Sequence, residues 1–303
     1  MRSFDTVASL RVHLASLRSD GRSVGLVPTM GALHDGHISL VRKARAECDA
    51  VVLSIFVNPS QFGPSEDYTQ YPRDIARDCR LANDAGVDAV FTPSVEEMYP
   101  AGFQTVVTVP KLAGLLEGAV RPHHFAGVTT VVLKLLNIAT PDRLFMGQKD
   151  YQQALIIDRM IADLNVDATM SLAPTVREAD GLALSSRNAY LTAEQRQVAP
   201  DIHRALMRAS EMVHGGETDP ETVIEAMRNL LAESGQLSAD YVVLADPGSL
   251  QNVTTLANRT ALAAIAARIG STRLIDNMLV APAGSPPAPF GARRVETGSG
   301  RVA

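Results

Sequence analysis

Apolar and polar positions alternate in blocks through the first half of the chain, with short β-branched runs followed by stretches of helical spacing. Residues 23–27 form an apolar run that reads as a buried strand, and 38–47 carry the spacing of an amphipathic helix. The run Ala-Val-Val-Leu-Ser-Ile-Phe-Val over 50–57 predicts a central strand. Helical spacing over 74–85 stops at Gly86, a glycine C-cap, and 87–92 is again strand-like. A weaker strand is predicted over 105–109, helices over 111–116 and 127–139, a short strand over 143–146 and a helix over 151–164. This alternation implies an α/β fold, a parallel sheet covered by helices on both faces, which binds ligands beyond the carboxyl ends of its strands.

The pattern changes near Thr175. Helical spacing over 192–213 and 220–234 precedes short strands at 240–244, 261–267 and 272–278. The expected organisation is therefore a parallel-sheet domain over 1–175 and a smaller α+β domain over 176–280. The tail 281–303 is Pro, Gly, Ser and Ala with few large apolar groups. It has too little surface to bury to offset its ordering entropy and is predicted to be disordered. A formal net charge of −5 argues against a broad nucleic-acid or acidic-membrane surface. No apolar run is long enough to span a bilayer, and the first residues lack the apolar core of a signal peptide. Cys48 and Cys79 are too few for a disulfide framework, so free thiols and a cytoplasmic location are expected.

Candidate chemistry gathers where strands end. After the first apolar run comes Met30-Gly31-Ala32-Leu33-His34-Asp35-Gly36-His37, a glycine-punctuated turn opening a helix. The first N–H groups of a helix lack intrahelical partners, so such a turn is a ready anion site, and His34 and His37 are placed to donate to a triphosphate. Their spacing also suits a metal, but no third ligand or HExxH spacing accompanies it. Asn58-Pro59-Ser60-Gln61-Phe62 follows the central strand. It is either an ordinary Asn-Pro turn or a ligand edge at which Asn58 and Gln61 hold a small polar substrate. Gly147-Gln148-Lys149-Asp150 follows the strand at 143–146. Lys149 there is a compact charge for phosphate, and Asp150 is placed both to bind Mg²⁺ and to cap the next helix, two compatible roles. Of Gln152 and Gln153, one is expected to face the pocket. Leu184-Ser185-Ser186-Arg187-Asn188 supplies hydroxyls and a guanidinium for a phosphate clamp. In Arg121-Pro122-His123-His124-Phe125, His124 reads as a helix-start contact.

Taken together and in order, these four motifs resemble the pantoate–β-alanine ligase family from the N-terminal region to about residue 280. The resemblance implies a Rossmann-like nucleotidyltransferase domain over 1–175 with 176–280 as a lid, and a homodimer. It implies a two-step reaction in which ATP and (R)-pantoate give pantoyl adenylate and pyrophosphate, and β-alanine then displaces AMP. Carried over by position, Met30, Gly31, Ala32, Leu33, His34, Asp35, Gly36, His37, Gly147, Gln148, Lys149, Asp150, Val176, Leu184, Ser185, Ser186 and Arg187 surround ATP. His34, His37, Lys149 and Arg187 are the catalytic candidates. Gln61, Gln153 and Asn58 fall on the small-molecule substrates pantoate and β-alanine, and Asp150 and Asp78 on Mg²⁺, with Asn58 a further magnesium candidate. Gln148 stands where the family often has Glu, which removes a charge beside Lys149. The competing readings are a nucleotidyltransferase with another acceptor, a metal-dependent hydrolase built on His34, His37, His123 and His124, and a non-catalytic nucleotide-binding module. Whether His37 moves a proton or only holds charge stays open at this level.

Overall fold

The alternation in the first half builds a six-stranded parallel sheet, seen in a computed structural model that describes residues 1–64, 66–285 and 290. Its elements are β1 (Arg2–Phe4), α1 (Val7–Ser19), β2 (Val24–Thr29), α2 (Asp35–Glu47), β3 (Ala50–Ile55), α3 (Ile75–Asp84), β4 (Ala89–Phe91) and α4 (Val95–Met98). They continue as α5 (Pro110–Ala113), α6 (Glu117–Val120), α7 (His124–Ala139), β5 (Arg143–Gly147), α8 (Tyr151–Asp163) and β6 (Thr169–Ala173). The strand order is β1-β4-β3-β2-β5-β6. After β4 the chain crosses back over the sheet to β5, so the order reverses between β2 and β5. These two strands pair only at Gly25↔Arg143 and Leu26↔Leu144. Beyond that point their carboxyl ends are unpaired with each other, which leaves the crevice where open α/β sheets take ligands.

Five local expectations are corrected. β1 and α1 were not anticipated. Thr6 caps α1 through its side chain, and Leu10, Leu14 and Leu17 bury one face of it. β6 was likewise missed. Residues 105–109 form no strand, because Val107 donates its N–H to Thr130 Oγ1 and its carbonyl accepts from Thr129 Oγ1, both on α7. The helix expected over 192–213 is two helices, α9 (Ala193–Val198) and α10 (Asp201–His214), interrupted at Pro200, whose ring and missing N–H do not fit a helix interior.

α10 and α11 (Pro220–Ala232) cover one face of a three-stranded antiparallel sheet, β7 (Leu237–Ala245), β8 (Ala261–Ile269) and β9 (Thr272–Val280). The small side chains of β8 have a packing reason. Ala263, Ile265 and Ala267 face the core with α10 and α11, whereas Leu262 and Ala264 pack with Tyr151 and Leu155 of α8. The small sheet thus sits between its own helices and a helix of the large sheet. Buried Glu117 fixes this junction by accepting from Arg273 Nη2 at 2.8 Å and from Tyr241 Oη at 2.8 Å. Apart from 281–285 and Phe290, which packs edge-on against Tyr151, the tail expectation lies outside the described residues.

Candidate active site

The crevice opens into a cavity of about 830 Å³ whose walls come from the ends of β2, β3 and β5, the 174–190 segment and β9. Of the expected site residues, Met30, His34, Gly36, His37, Asn58, Gln61, Gly147, Lys149, Asp150, Gln153, Val176, Leu184, Ser185, Ser186 and Arg187 line it. The structure does not bring the side chains of Ala32, Leu33, Asp35, Gln148 or Asp78 to this wall. Leu33 is buried in the core, and Asp35 is exposed at the start of α2. Gln148 offers its carbonyl to Asn277 instead. Asp78, expected as a metal ligand, is 1 % exposed and accepts from the Ala32 and Leu33 N–H groups at 2.8 Å each. Its carboxylate shapes the turn instead of facing a ligand. Gly31, at φ +86°, completes that packing, since a Cβ there would lie 2.9 Å from Asp78 Oδ2. Gly31, Asp78 and Met30 border a second, smaller cavity of about 230 Å³.

The two histidines hold each other and the start of α2. His34 Nδ1 accepts from the Gly36 N–H at 3.1 Å, and His37 Nδ1 accepts from the His34 N–H at 3.4 Å. Their rings lie 4.1 Å apart between centroids. An Nδ1 that accepts carries no proton in the neutral ring, so each imidazole keeps its proton on Nε2, the nitrogen left for a ligand. Burial lowers the pKa of both, aided for His34 by Lys149 and for His37 by His34. His37 is brought down to about 3, so it is a neutral donor at pH 7.

The turn after β3 is organised differently. Asn58 is 1 % exposed. Its Oδ1 accepts from Ser60 Oγ at 2.8 Å and Tyr99 Oη at 2.8 Å, and its Nδ2 donates to the Gly127 carbonyl at 3.1 Å and Gln61 Oε1 at 3.0 Å. Asn58 therefore orients Gln61 and has no hydrogen-bonding capacity left for a substrate. Gln61 Nε2 rests on Met30 Sδ at 3.2 Å, a weak acceptor that a ligand can replace. His124 Nδ1 lies 2.9 Å from the Gln61 carbonyl; since a carbonyl only accepts, Nδ1 carries the proton. Burial and then Arg121 lower its pKa to about 4. Gln152 donates to the Leu112 and Leu115 carbonyls and accepts from the Glu117 N–H, so Gln153 is the glutamine left free to meet a ligand.

Cations in the wall meet acids of the same chain. Lys149 Nζ lies 3.4 Å from Asp150 Oδ1, Arg121 Nε donates to Glu66 at 2.8 Å, and Arg187 Nη2 to Asp67 at 3.1 Å. Burial acts to raise the Asp150 pKa, but Lys149 and then Arg187 hold it below the usual carboxylate range. Its side chain makes no cap to α8, which corrects the capping expectation. Ser186 Oγ lies 3.4 Å from Tyr71 Oη. Among the described residues no group of three or more His, Cys, Asp or Glu is placed to hold a metal. A single ionised carboxylate such as Asp150 is nonetheless a donor that suits Mg²⁺ when phosphates supply further oxygens. Tyr71, Tyr99 and Arg121 are among the wall and support residues that sequence reasoning did not assign. Of these three, only Arg121, in its polar cluster before α7, carried a local signal.

Over most of its length the chain is similar to proteins of one family. The family model described as Pantoate-beta-alanine ligase matches residues 2–279. A pantothenate synthetase of Moorella thermoacetica is 54% identical over 280 residues, covering 92% of this chain and 99% of that protein. The solved pantothenate synthetase of Thermus thermophilus superposes with a TM-score of 0.88 at 47% identity, over 93% of this chain and 100% of that one. A pantoate-beta-alanine ligase of Francisella tularensis, solved with beta-gamma ATP and beta-alanine, superposes at 0.76 with 35% identity, over 92% and 97%. The polar crevice at the reversal of the sheet, the four motifs that line it and these relatives lead to one conclusion: the chain belongs to the pantoate–β-alanine ligase family.

Proposed function

We propose that this cavity activates pantoate with ATP and then joins it to β-alanine. The overall ligation of pantoate and β-alanine is the reaction of the family. In the first step a carboxylate oxygen of pantoate attacks the α-phosphorus of ATP, the bond from that phosphorus to the β-bridging oxygen breaks, and pyrophosphate leaves. In the second step the free amine of β-alanine attacks the acyl carbon of pantoyl adenylate. The acyl–oxygen bond breaks, AMP leaves and the amine proton is lost to solvent.

A carboxylate needs no base to attack phosphorus. The barrier lies in bringing anions together and in the charge that grows on pyrophosphate, so fixed donors and cations are the effective tools. The observation that carries the reading is the shared orientation of His34 and His37, whose Nδ1 atoms are held by backbone N–H groups in the same wall as Lys149. Both then offer Nε2–H to the triphosphate. Lys149 and Arg187 add charge, and Ser185 and Ser186 add hydroxyls. Val176, Leu184 and Met30 flank the nucleotide. Gln61 and Gln153 supply donors and acceptors to pantoate, with Asn58 orienting Gln61. His37, neutral in the ligand-free chain, is assigned to stabilising charge through its Nε2–H. When bound, Mg²⁺ supplies charge neutralisation to the triphosphate, and Asp150 is the residue that would hold it. The 176–280 region is read as a lid, the active form as a homodimer and the place of work as the cytoplasm, where ATP is available.

Pantoate-dependent release of pyrophosphate from ATP and Mg²⁺ tests this reading, with AMP and pantothenate appearing once β-alanine is added. Absence of pyrophosphate with all substrates present would refute it. A stable nucleotide-linked product that β-alanine does not discharge would instead support a transferase with another acceptor.

A further inference from the structure

Two adjacent residues of β9, Asp276 and Asn277, are each 4 % exposed, although both are polar and lie on the smaller sheet. Neither side chain is used to hold that sheet together. Asn277 Nδ2 donates to two consecutive carbonyls of the large unit, Gln148 at 3.0 Å and Lys149 at 2.8 Å. These carbonyls belong to the single turn Gln148–Asp150, which has no side-chain cap of its own. Among the described residues Asn277 Oδ1 is buried without a partner. Asp276 faces another segment. It accepts both arms of the Arg177 guanidinium, one of them at 3.0 Å, and its Oδ1 also accepts the Asn277 N–H at 2.8 Å. Arg177 in turn donates to the Gly181 carbonyl at 3.1 Å, and the backbone beside it closes through Leu184 N–H to Val176 O at 3.0 Å. That closed turn delivers Leu184, Ser185, Ser186 and Arg187 to the cavity.

We propose that Asp276 and Asn277 are paired positioning residues that set the two phosphate-facing segments, Lys149 on one side and Ser185–Arg187 on the other, in register with each other. One strand thereby fixes the separation of two charged segments that lie far apart in sequence. Both border the cavity, and each acts on the phosphates through the segment that it holds. Their effect is to hold the segments in the arrangement that the departing pyrophosphate requires, and small displacements of such groups are expensive in rate. This inference rests on the assignment of Lys149, Ser185, Ser186 and Arg187 to the triphosphate.

The test separates the two half-reactions in the full chain. Asn277→Leu keeps approximate size and removes both donors. Asn277→Asp keeps shape and also removes them. Each is expected to lower kcat for pantoate-dependent pyrophosphate release by about 10- to 100-fold, with the KM for pantoate nearly unchanged. Aminolysis of supplied pantoyl adenylate by β-alanine, which involves no triphosphate, should change by less than about threefold. Asn277→Gln, which restores an amide donor, should recover part of the first half-reaction. A folded variant with wild-type pyrophosphate release overturns the proposal, as does an equal fall in both half-reactions. If the Leu variant does not fold, the Asp and Gln variants carry the same comparison. Failure of the wild-type chain to release pyrophosphate would refute the functional reading itself, a result distinct from either of these.

Discussion

Two turns leave the carboxyl ends of the neighbouring strands β2 and β3, and they handle their polar groups in opposite ways. In the turn after β2, His34 and His37 use only Nδ1 on the backbone and keep Nε2–H for a ligand. In the turn after β3, Asn58 is fully engaged inside the protein and Gln61 is held by its neighbours at both ends of its amide. The first turn is prepared for charge and keeps donors in reserve. The second is prepared for shape and presents one oriented group. Position in a fold therefore marks where a ligand sits, while the hydrogen-bond inventory of each turn decides which residue touches it.

The largest expected effect breaks the first turn. His37→Ala should lower pyrophosphate release by about 10²- to 10³-fold, as loss of one preorganised donor does, whereas His37→Gln, which retains a donor, should lose less. Equal losses across pH would show that hydrogen-bond donation is not the role of His37. Next, Asn58→Leu removes the support of Gln61 and takes one hydrogen-bond partner each from the Tyr99 hydroxyl, the Ser60 hydroxyl and the Gly127 carbonyl, costing about 3 kcal/mol in urea unfolding. It should raise the KM for pantoate more than it lowers kcat. Asp78→Asn distinguishes a turn clamp from a metal ligand. It should cost about 2 kcal/mol and raise the KM for ATP, with the Mg²⁺ concentration for half-maximal activity unchanged.

The smallest effect concerns acid. His34, His37 and His124 have pKa values below the ordinary 6.5, so below pH 6.5 the unfolded chain binds more protons than the folded one. Their contribution to stability is complete above about pH 6.5 and is lost as pH falls through 5 toward 4 and 3. The loss between pH 7 and 6 should be about 0.7 kcal/mol for each of His37 and His124, read from urea midpoints. His37→Gln should flatten that slope. Asn58→Leu should lower stability at every pH and leave the slope as it was.

Much of this arrangement was legible in the chain. Buried strands such as 50–57 and the glycine turns after them carry local signals, because apolar runs and backbone conformation are written into adjacent residues. β1 and β6 escaped because one is three residues long and the other carries polar residues among its apolar ones. The β-branched run at 105–109 misled because two threonines of α7 satisfy the backbone of Val107. At the site, the residue types were legible and their assignments were not. Nothing near Asp78 signals that its carboxylate folds back over Ala32 and Leu33, and nothing near Asn277 signals the Lys149 turn, since both contacts join segments distant in sequence.

Lys149, Arg121 and Arg187 each enter the cavity wall beside an acid of their own, Asp150, Glu66 and Asp67. Taking up an anionic substrate is then an exchange of counterions inside the protein, not the filling of an unbalanced positive hole. An exchanger of this kind projects little field into solvent, so it does little to draw anions from a distance. Discrimination among anions passes to how many contacts the incoming group makes compared with the carboxylate it displaces, and the rate of encounter should depend only weakly on ionic strength.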